Sequence, residues 1–276
     1  MTSSTSRVDV SEFGELPPIA NFRSVLLDLD GTVYLDGDPL PSAQEFITNC
    51  VESGCLVSYI TNLSLFPKAH CLDALERMGL ATTPRHVLTA VDVMMTTLDG
   101  RVPGRRIGVL AADHVRTRLQ IAGYRVTDLN AGPPEGPLDA LVVGQVPELH
   151  PEAPAHVRGS IEARLPIFAT STHGQMPTRL AGVLSAGQVL AAVTSSADEE
   201  VEVVDCGKPS TFFAAAVDEL MELADPVLVV GDSLESDIAL AKGNGWFGML
   251  VGERPEAVTG PVPDYWAPDL ASVVGR

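Results

Sequence analysis

Four short stretches of this chain carry residue types able to do chemistry. They are DLDGT (28–32), Thr61-Asn62, GKPS (207–210) and GDSLESD (231–237). Asp28 ends an apolar run, which places its carboxylate at the mouth of a buried element. An ionisable group there is retained for a task. Each stretch also has a local reading. DLDGT is compatible with a turn built on Asp and Gly, and Thr61-Asn62 with a cap or turn. Lys208 reads alone as a solvated charge, and Asp232 with Ser233 as caps of an acidic helix start. Their order and separation along the chain distinguish them from four unrelated turns.

The elements around them follow one grammar. SVLLDL (24–29) reads as a strand, and SAQEFITNCVES (42–53) has Ala43, Phe46, Ile47, Cys50 and Val51 at helical spacing. Gly54 stops that helix, CLVSYITN (55–62) returns as a strand, and PKAHCLDALERMG (67–79) opens on Pro and closes on Gly, as helices do. Such β-α-β-α order implies a parallel sheet with right-handed crossovers. The same order resumes with a helix in 207–223, a strand over 226–233, a helix over 234–245 and a strand over 246–252. Three of the polar stretches thus fall at the carboxyl ends of core strands, where open parallel sheets bind ligands. Between the halves, strands at 105–111, 138–144 and 166–171 suggest a second α/β unit. The expected division is a flexible arm (1–21), a core (22–83 plus 187–276) and an insertion (84–186) of the kind that lids a site.

Composition narrows the partners. With 36 acidic residues against 18 Lys and Arg, the formal charge is −18, which argues against a nucleic-acid polymer. Cys50, Cys55, Cys71 and Cys206 lack metal-binding spacing and read as reduced thiols. No apolar stretch approaches a membrane span, and the polar start lacks the apolar run of a signal peptide. A cytoplasmic protein is expected.

DLDGT, a strand-end Thr, a Lys before a helix and GDSLESD, in that order, resemble the motifs of the haloacid dehalogenase superfamily. DLDGTVYLDG, ITN, GDSLESDI and the ending PDYWAPDLASV are similar to its subfamily IIA, the 4-nitrophenylphosphatase and nucleotide-phosphatase-like enzymes. The resemblance implies an α/β fold, a Rossmann-like parallel-sheet core with an inserted α/β cap domain. It implies a magnesium-dependent phosphatase acting on a small phosphorylated metabolite, with a homodimer as a further expectation. Asp28 would be the nucleophile that becomes an aspartyl-phosphate, and Asp30 the acid and then base. Gly31, Thr61, the Asn62 amide and Lys208 would face the phosphate. Asp28, the Asp30 carbonyl, Asp232 and Asp237 would hold Mg²⁺. An acid at position 30 favours phosphoryl transfer over dehalogenation, because a halide leaves without a proton.

Two places depart from the resemblance. Leu63 stands where a second asparagine is usual, and the cap reads ATSTHGQMP (169–177) where relatives carry an acid near His173. Ser171, Thr172 and His173 are therefore the expected determinants of substrate preference, against a surface-loop reading of the histidine. The same departures are the support for an alternative, a catalytically weak metabolite-binding or regulatory protein on the same scaffold.

Overall fold

Short strands, several of them buried from end to end, set the architecture. A computed structural model describes residues 13–80, 82–173, 182–195, 201–258 and 260–275. The chain opens with β1 (Ser24–Asp28), the hairpin β2 (Tyr34–Leu35) and β3 (Asp38–Pro39), α1 (Ala43–Glu52), β4 (Leu56–Thr61), α2 (Lys68–Arg77) and β5 (Val87–Thr89). Then come α3 (Ala90–Arg101), β6 (Arg106–Leu110), α4 (Asp113–Ile121), β7 (Arg125–Asp128), β8 (Ala140–Val143), α5 (Ala153–Glu162), β9 (Ile167–Ala169), α6 (Ala186–Thr194) and β10 (Val203–Asp205). It closes with α7 (Thr211–Leu220), β11 (Val227–Gly231), a π-helical turn Leu234–Ile238, α8 (Ala239–Gly243), β12 (Phe247–Val251) and β13 (Tyr265–Ala267). Among the described residues, no helix is long and apolar enough to cross a membrane.

Two compact units result. The first comprises the described parts of Met1–Thr61, His70–Leu88 and Ala214–Arg276. Its sheet has the order β13-β12-β11-β1-β4-β5. β1 lies between β11 and β4, parallel to both. Both β1 and β11 are buried along all five residues, as parallel strands covered on two faces must be. The buried positions of α1 are Ala43, Phe46, Ile47 and Cys50, and Gly54 at φ +84° turns the chain out of the helix. Residues 1–12 of the expected arm lie outside the described residues. Its remainder is fastened: the Gly14 N–H donates to the Asp264 carbonyl at 2.9 Å, and Leu16 and Ile19 are buried.

The second unit comprises the described parts of Asn62–Ala69 and Thr89–Phe213. Its five strands run β10-β9-β8-β6-β7, parallel at each pairing. This unit runs past residue 186, where the sequence suggested a return to the core, for two reasons. β10 pairs with β9, and Val189, Leu190 and Val193 of α6 join Leu141 and Ile167 in one apolar cluster.

An ionic joint gathers Lys68, Asp92 and Arg118 within the second unit. Asp92 caps α3 reciprocally with Thr89, receives Lys68 at 2.7 Å from the start of α2, and receives Arg118 of α4 at 2.7 Å. Burial raises the pKa of Asp92, but the Lys68 and Arg118 charges and the Thr89 bonds outweigh it and hold the carboxyl below its ordinary range. The folded state therefore binds this proton less readily than the unfolded chain. The stabilisation is complete above the unfolded value of about 4 and is lost as pH falls through the lower folded value. Asp92→Ala is expected to cost about 2–4 kcal/mol at neutral pH. In urea unfolding, the gap from the parent should narrow as the pH drops below 4.

Candidate active site

The sheet order brings the sequence motifs together in the first unit. Asp28, the last residue of β1, is level with Ile60 of β4, so Thr61 ends the neighbouring strand one residue further on. On the other side Leu27 is level with Val230, so β11 ends at Gly231 with Asp232 just beyond. β1 leads onward to β4, while β11 arrives from much later in the chain, so the strand order reverses direction at β1. In open α/β sheets such a switch point is where ligands bind.

Asp28, Asp232 and Asp237 each turn a carboxylate oxygen into this place, and the three oxygens lie within 4.8 Å of one another. Asp28 and Asp237 are buried and Asp232 is half-buried. Asp237 reaches the cluster because the chain after β11 does not begin an ordinary α-helix. Leu234–Ile238 winds as a π-helical turn, and α8 covers only Ala239–Gly243 of the expected 234–245 helix. Such wide turns recur at functional sites. The Ser233 hydroxyl accepts the Ser236 N–H at 3.2 Å, and Asp237 Oδ2 accepts the Ser233 N–H at 3.1 Å. Gly231 makes the approach possible, because a Cβ there would stand 2.2 Å from Asp237 Cγ. Among the described residues this is the group of three acids able to share a cation. Its all-oxygen donors suit a hard divalent ion such as Mg²⁺ or Ca²⁺ rather than zinc.

Asp30 stands apart from that group, on the turn leaving β1. Gly31 takes φ +95° and its N–H donates to the Tyr34 carbonyl at 2.8 Å. The Leu29 carbonyl accepts from the N–H groups of Val33 and Tyr34. The β2–β3 hairpin closes through Asp36-Gly37, both with positive φ, as a two-residue hairpin turn requires. The Asp36 N–H then donates to Asp30 Oδ1 at 3.3 Å. Tyr34 is fully buried. Burial, followed by the neighbouring Cys71 thiol and Asp30, pushes its phenol far above the ordinary range and keeps it protonated.

Lys208, Asn62 and the Ser171–His173 stretch belong to the second unit. Lys208 is only 1% exposed, unlike the solvated charge it resembles when read alone. Its main chain is held by the Asn62 side chain: Oδ1 accepts the Lys208 N–H at 2.7 Å, and Nδ2 donates to the Lys208 carbonyl at 3.2 Å. Asp205, which the sequence reading passed over, links two stretches. Its Oδ1 accepts the Gly207 N–H at 2.9 Å and its Oδ2 accepts the Thr172 hydroxyl at 2.7 Å. Ser171 Oγ accepts the His173 N–H at 3.1 Å and lies 3.4 Å from His173 Nδ1. Residues 174–177 of the expected cap segment lie outside the described residues.

A second unforeseen residue is Gln145. Its Oε1 accepts the N–H groups of Ser64 and Leu65 at 2.6 and 2.7 Å, and its own N–H donates to Ser64 Oγ at 3.0 Å. Gln145 lies two residues beyond the end of β8 and Asp205 is the last residue of β10, and nearness to a strand end is the positional signal that could have marked them. Thr170 donates to the same hydroxyl at 2.8 Å, and His114 Nε2 lies 2.9 Å from the Ser64 carbonyl.

Comparison with known proteins agrees with this architecture. A family model described as haloacid dehalogenase-like hydrolase matches residues 25–125, and a HAD-hydrolase-like model matches 205–273. The sugar-phosphatase AraL of Bacillus subtilis is 27% identical over 228 residues, which cover 82% of each chain. The structure of 4-nitrophenylphosphatase from Thermotoga maritima superposes with a TM-score of 0.77 at 23% identity, covering 95% of this chain and 99% of that one. A glycerol phosphate phosphatase from Mycobacterium tuberculosis, solved with calcium, gives 0.75 at 23% identity, covering 94% and 76%. Between them the two models span more than half of the residues and both ends of the parallel sheet, and the chain belongs to the haloacid dehalogenase-like hydrolases.

Proposed function

We propose that this hydrolase is a divalent-metal-dependent phosphatase that cleaves a small organic phosphomonoester by way of an aspartyl-phosphate on Asp28. The observation that carries this reading is the cluster of Asp28, Asp232 and Asp237 at the strand ends, with Asp30 on a separate turn two residues beyond Asp28. The relatives' names support the substrate class, since they include sugar, 4-nitrophenyl and glycerol phosphate phosphatases. Structures of the last hold calcium or magnesium, and the oxygen donors here suit either ion. The four cysteines form no disulfide and are buried, which supports the cytoplasmic location expected from the sequence.

In this mechanism a carboxylate oxygen of Asp28 attacks phosphorus and the bond to the ester oxygen breaks. Asp30 gives its proton to the departing alkoxide, releasing the alcohol. Asp30 then takes a proton from water, whose oxygen attacks the same phosphorus. The bond to Asp28 breaks, inorganic phosphate leaves, and both carboxyl groups return to their starting states. Asp28, Asp232, Asp237 and the Asp30 carbonyl would hold Mg²⁺, which when bound offsets the repulsion between carboxylate and phosphate dianion. Gly31 lets the backbone approach the phosphoryl oxygens, while the Thr61 hydroxyl and the Asn62 main-chain N–H hydrogen-bond them. Lys208 supplies the positive charge for the transferring group. The Ser171–His173 stretch of the inserted cap domain meets the leaving group and sets preference among esters.

Phosphate release from a panel of sugar, nucleotide and glycerol phosphates with Mg²⁺ tests the reading. Asp28→Asn or EDTA should abolish release, and Asp30→Asn should lower it by about 100-fold or more. Release that survives both Asp28→Asn and EDTA would refute it. His173→Ala should reorder the panel while leaving the protein folded, and an unchanged order removes that residue from specificity. Gly231→Ala should push Asp237 aside, so that Mg²⁺ raises the melting temperature of the parent but not of the variant. Equal Mg²⁺-induced shifts would show that Asp237 does not bind the ion.

A further inference from the structure

We infer that Asn62 is a positioning residue for Lys208, and that its side-chain amide serves this purpose rather than contact with the substrate. The inference rests on the phosphatase reading, in which Lys208 acts on the phosphoryl group. Both ends of the amide are engaged by one residue, 146 positions away: Oδ1 takes the Lys208 N–H at 2.7 Å and Nδ2 gives to the Lys208 carbonyl at 3.2 Å. Flipping the amide would set N–H against N–H and oxygen against oxygen, so the pairing is self-consistent only one way round. Asn62 thus pairs with Lys208 as a neighbouring strand residue would, in a place where no strand runs. On the Gly207 side the approach is close, because a Cβ there would stand 2.9 Å from Asn62 Oδ1 and 2.5 Å from the Thr170 carbonyl.

The grip matters because Asn62 opens the 62–65 loop of the second unit and fixes the Lys208 main chain from there. The far end of the same loop is clamped by Gln145, Thr170 and His114 through Ser64 and Leu65. Residues 62–65 therefore transmit little slack, and where Asn62 sits fixes where the Lys208 backbone begins its reach. Leu63, where a polar residue is usual, lies between the two clamps. Asn is specified chemically. Asp would turn a second oxygen against the Lys208 carbonyl, Ser lacks the paired donor and acceptor, and Gln carries the amide one methylene too far.

A double-mutant cycle tests the inference, read on turnover for the single variants and on the affinity for inorganic phosphate with Mg²⁺, by calorimetry, for all four proteins. Slow variants then still report. Asn62→Ser should lower kcat/KM by about 10- to 100-fold and weaken phosphate binding. In a Lys208→Met background it should weaken phosphate binding by no more than about two-fold further, because residues that act through one another are not additive. Asn62→Asp, which keeps the acceptor for the Lys208 N–H, should fall between parent and Asn62→Ser, and it carries the cycle if Asn62→Ser fails to fold. Additive losses would mean that the Asn62 side chain meets the phosphate itself and would overturn the inference. So would parent-like activity in Asn62→Ser when Lys208→Met is impaired. If Lys208→Met is itself unimpaired, the lysine's part in the phosphatase reading fails, and the inference fails with it.

Discussion

Repulsion between like charges is the constraint around which this molecule is arranged. Carboxylates drawn within 4.8 Å of one another oppose each other by a few kcal/mol per pair at an effective dielectric of about 20. They stay together only because the scaffold leaves them no alternative. Asp28 is the end of a strand paired on both sides, and Asp237 is pinned by the Ser233 N–H and wedged over a glycine with no side chain to displace it. Holding the three together costs the folded protein, and a cation bound among their oxygens would offset that cost. Gly231, which looks merely architectural, is thereby what lets the third carboxylate join the cluster.

Much of the first unit was legible because its signals are local. Apolar runs ending in polar residues read as buried parallel strands, and four of them do lie in one sheet, with Asp28, Thr61 and Gly231 at neighbouring ends. The π-helical turn was not legible: LESDI has the composition of a helix start, and only tertiary demand on Asp237 explains the wider winding. In the second unit, α6 and β10 were missed because neither fills a long periodic window, and β10 is a strand only by virtue of pairing with β9. Lys208 read alone as a solvated charge, yet it is buried and its main chain is held by Asn62, 146 positions away, which no local pattern announces.

Three side-chain contacts that sequence reading did not foresee share a property. Gln145 and Asn62 spend their side chains on main-chain groups of distant loops, and Asp205 joins the Gly207 N–H to the Thr172 hydroxyl; losing a partner strands a buried donor or acceptor at a cost of about 1–3 kcal/mol each. Such bonds have no periodicity and no preferred spacing, so composition cannot announce them. They explain how loops made of ordinary residues hold fixed positions beside reactive ones.

The central strand also imposes an order of assembly. Ser24, at the start of β1, exchanges hydrogen bonds with Ala224, 200 residues later, and β11 follows directly. As the chain leaves the ribosome, β1 can find β4 early, yet its other edge stays open until most of the protein exists. The second unit, drawn almost wholly from one continuous stretch, is complete before then. Closure by long-range strand pairing is slow, and an open apolar edge invites association with other chains. In this topology Asp28 lies on the strand that waits longest for its partner, so the three-carboxylate cluster is assembled only when nearly the whole chain has been made.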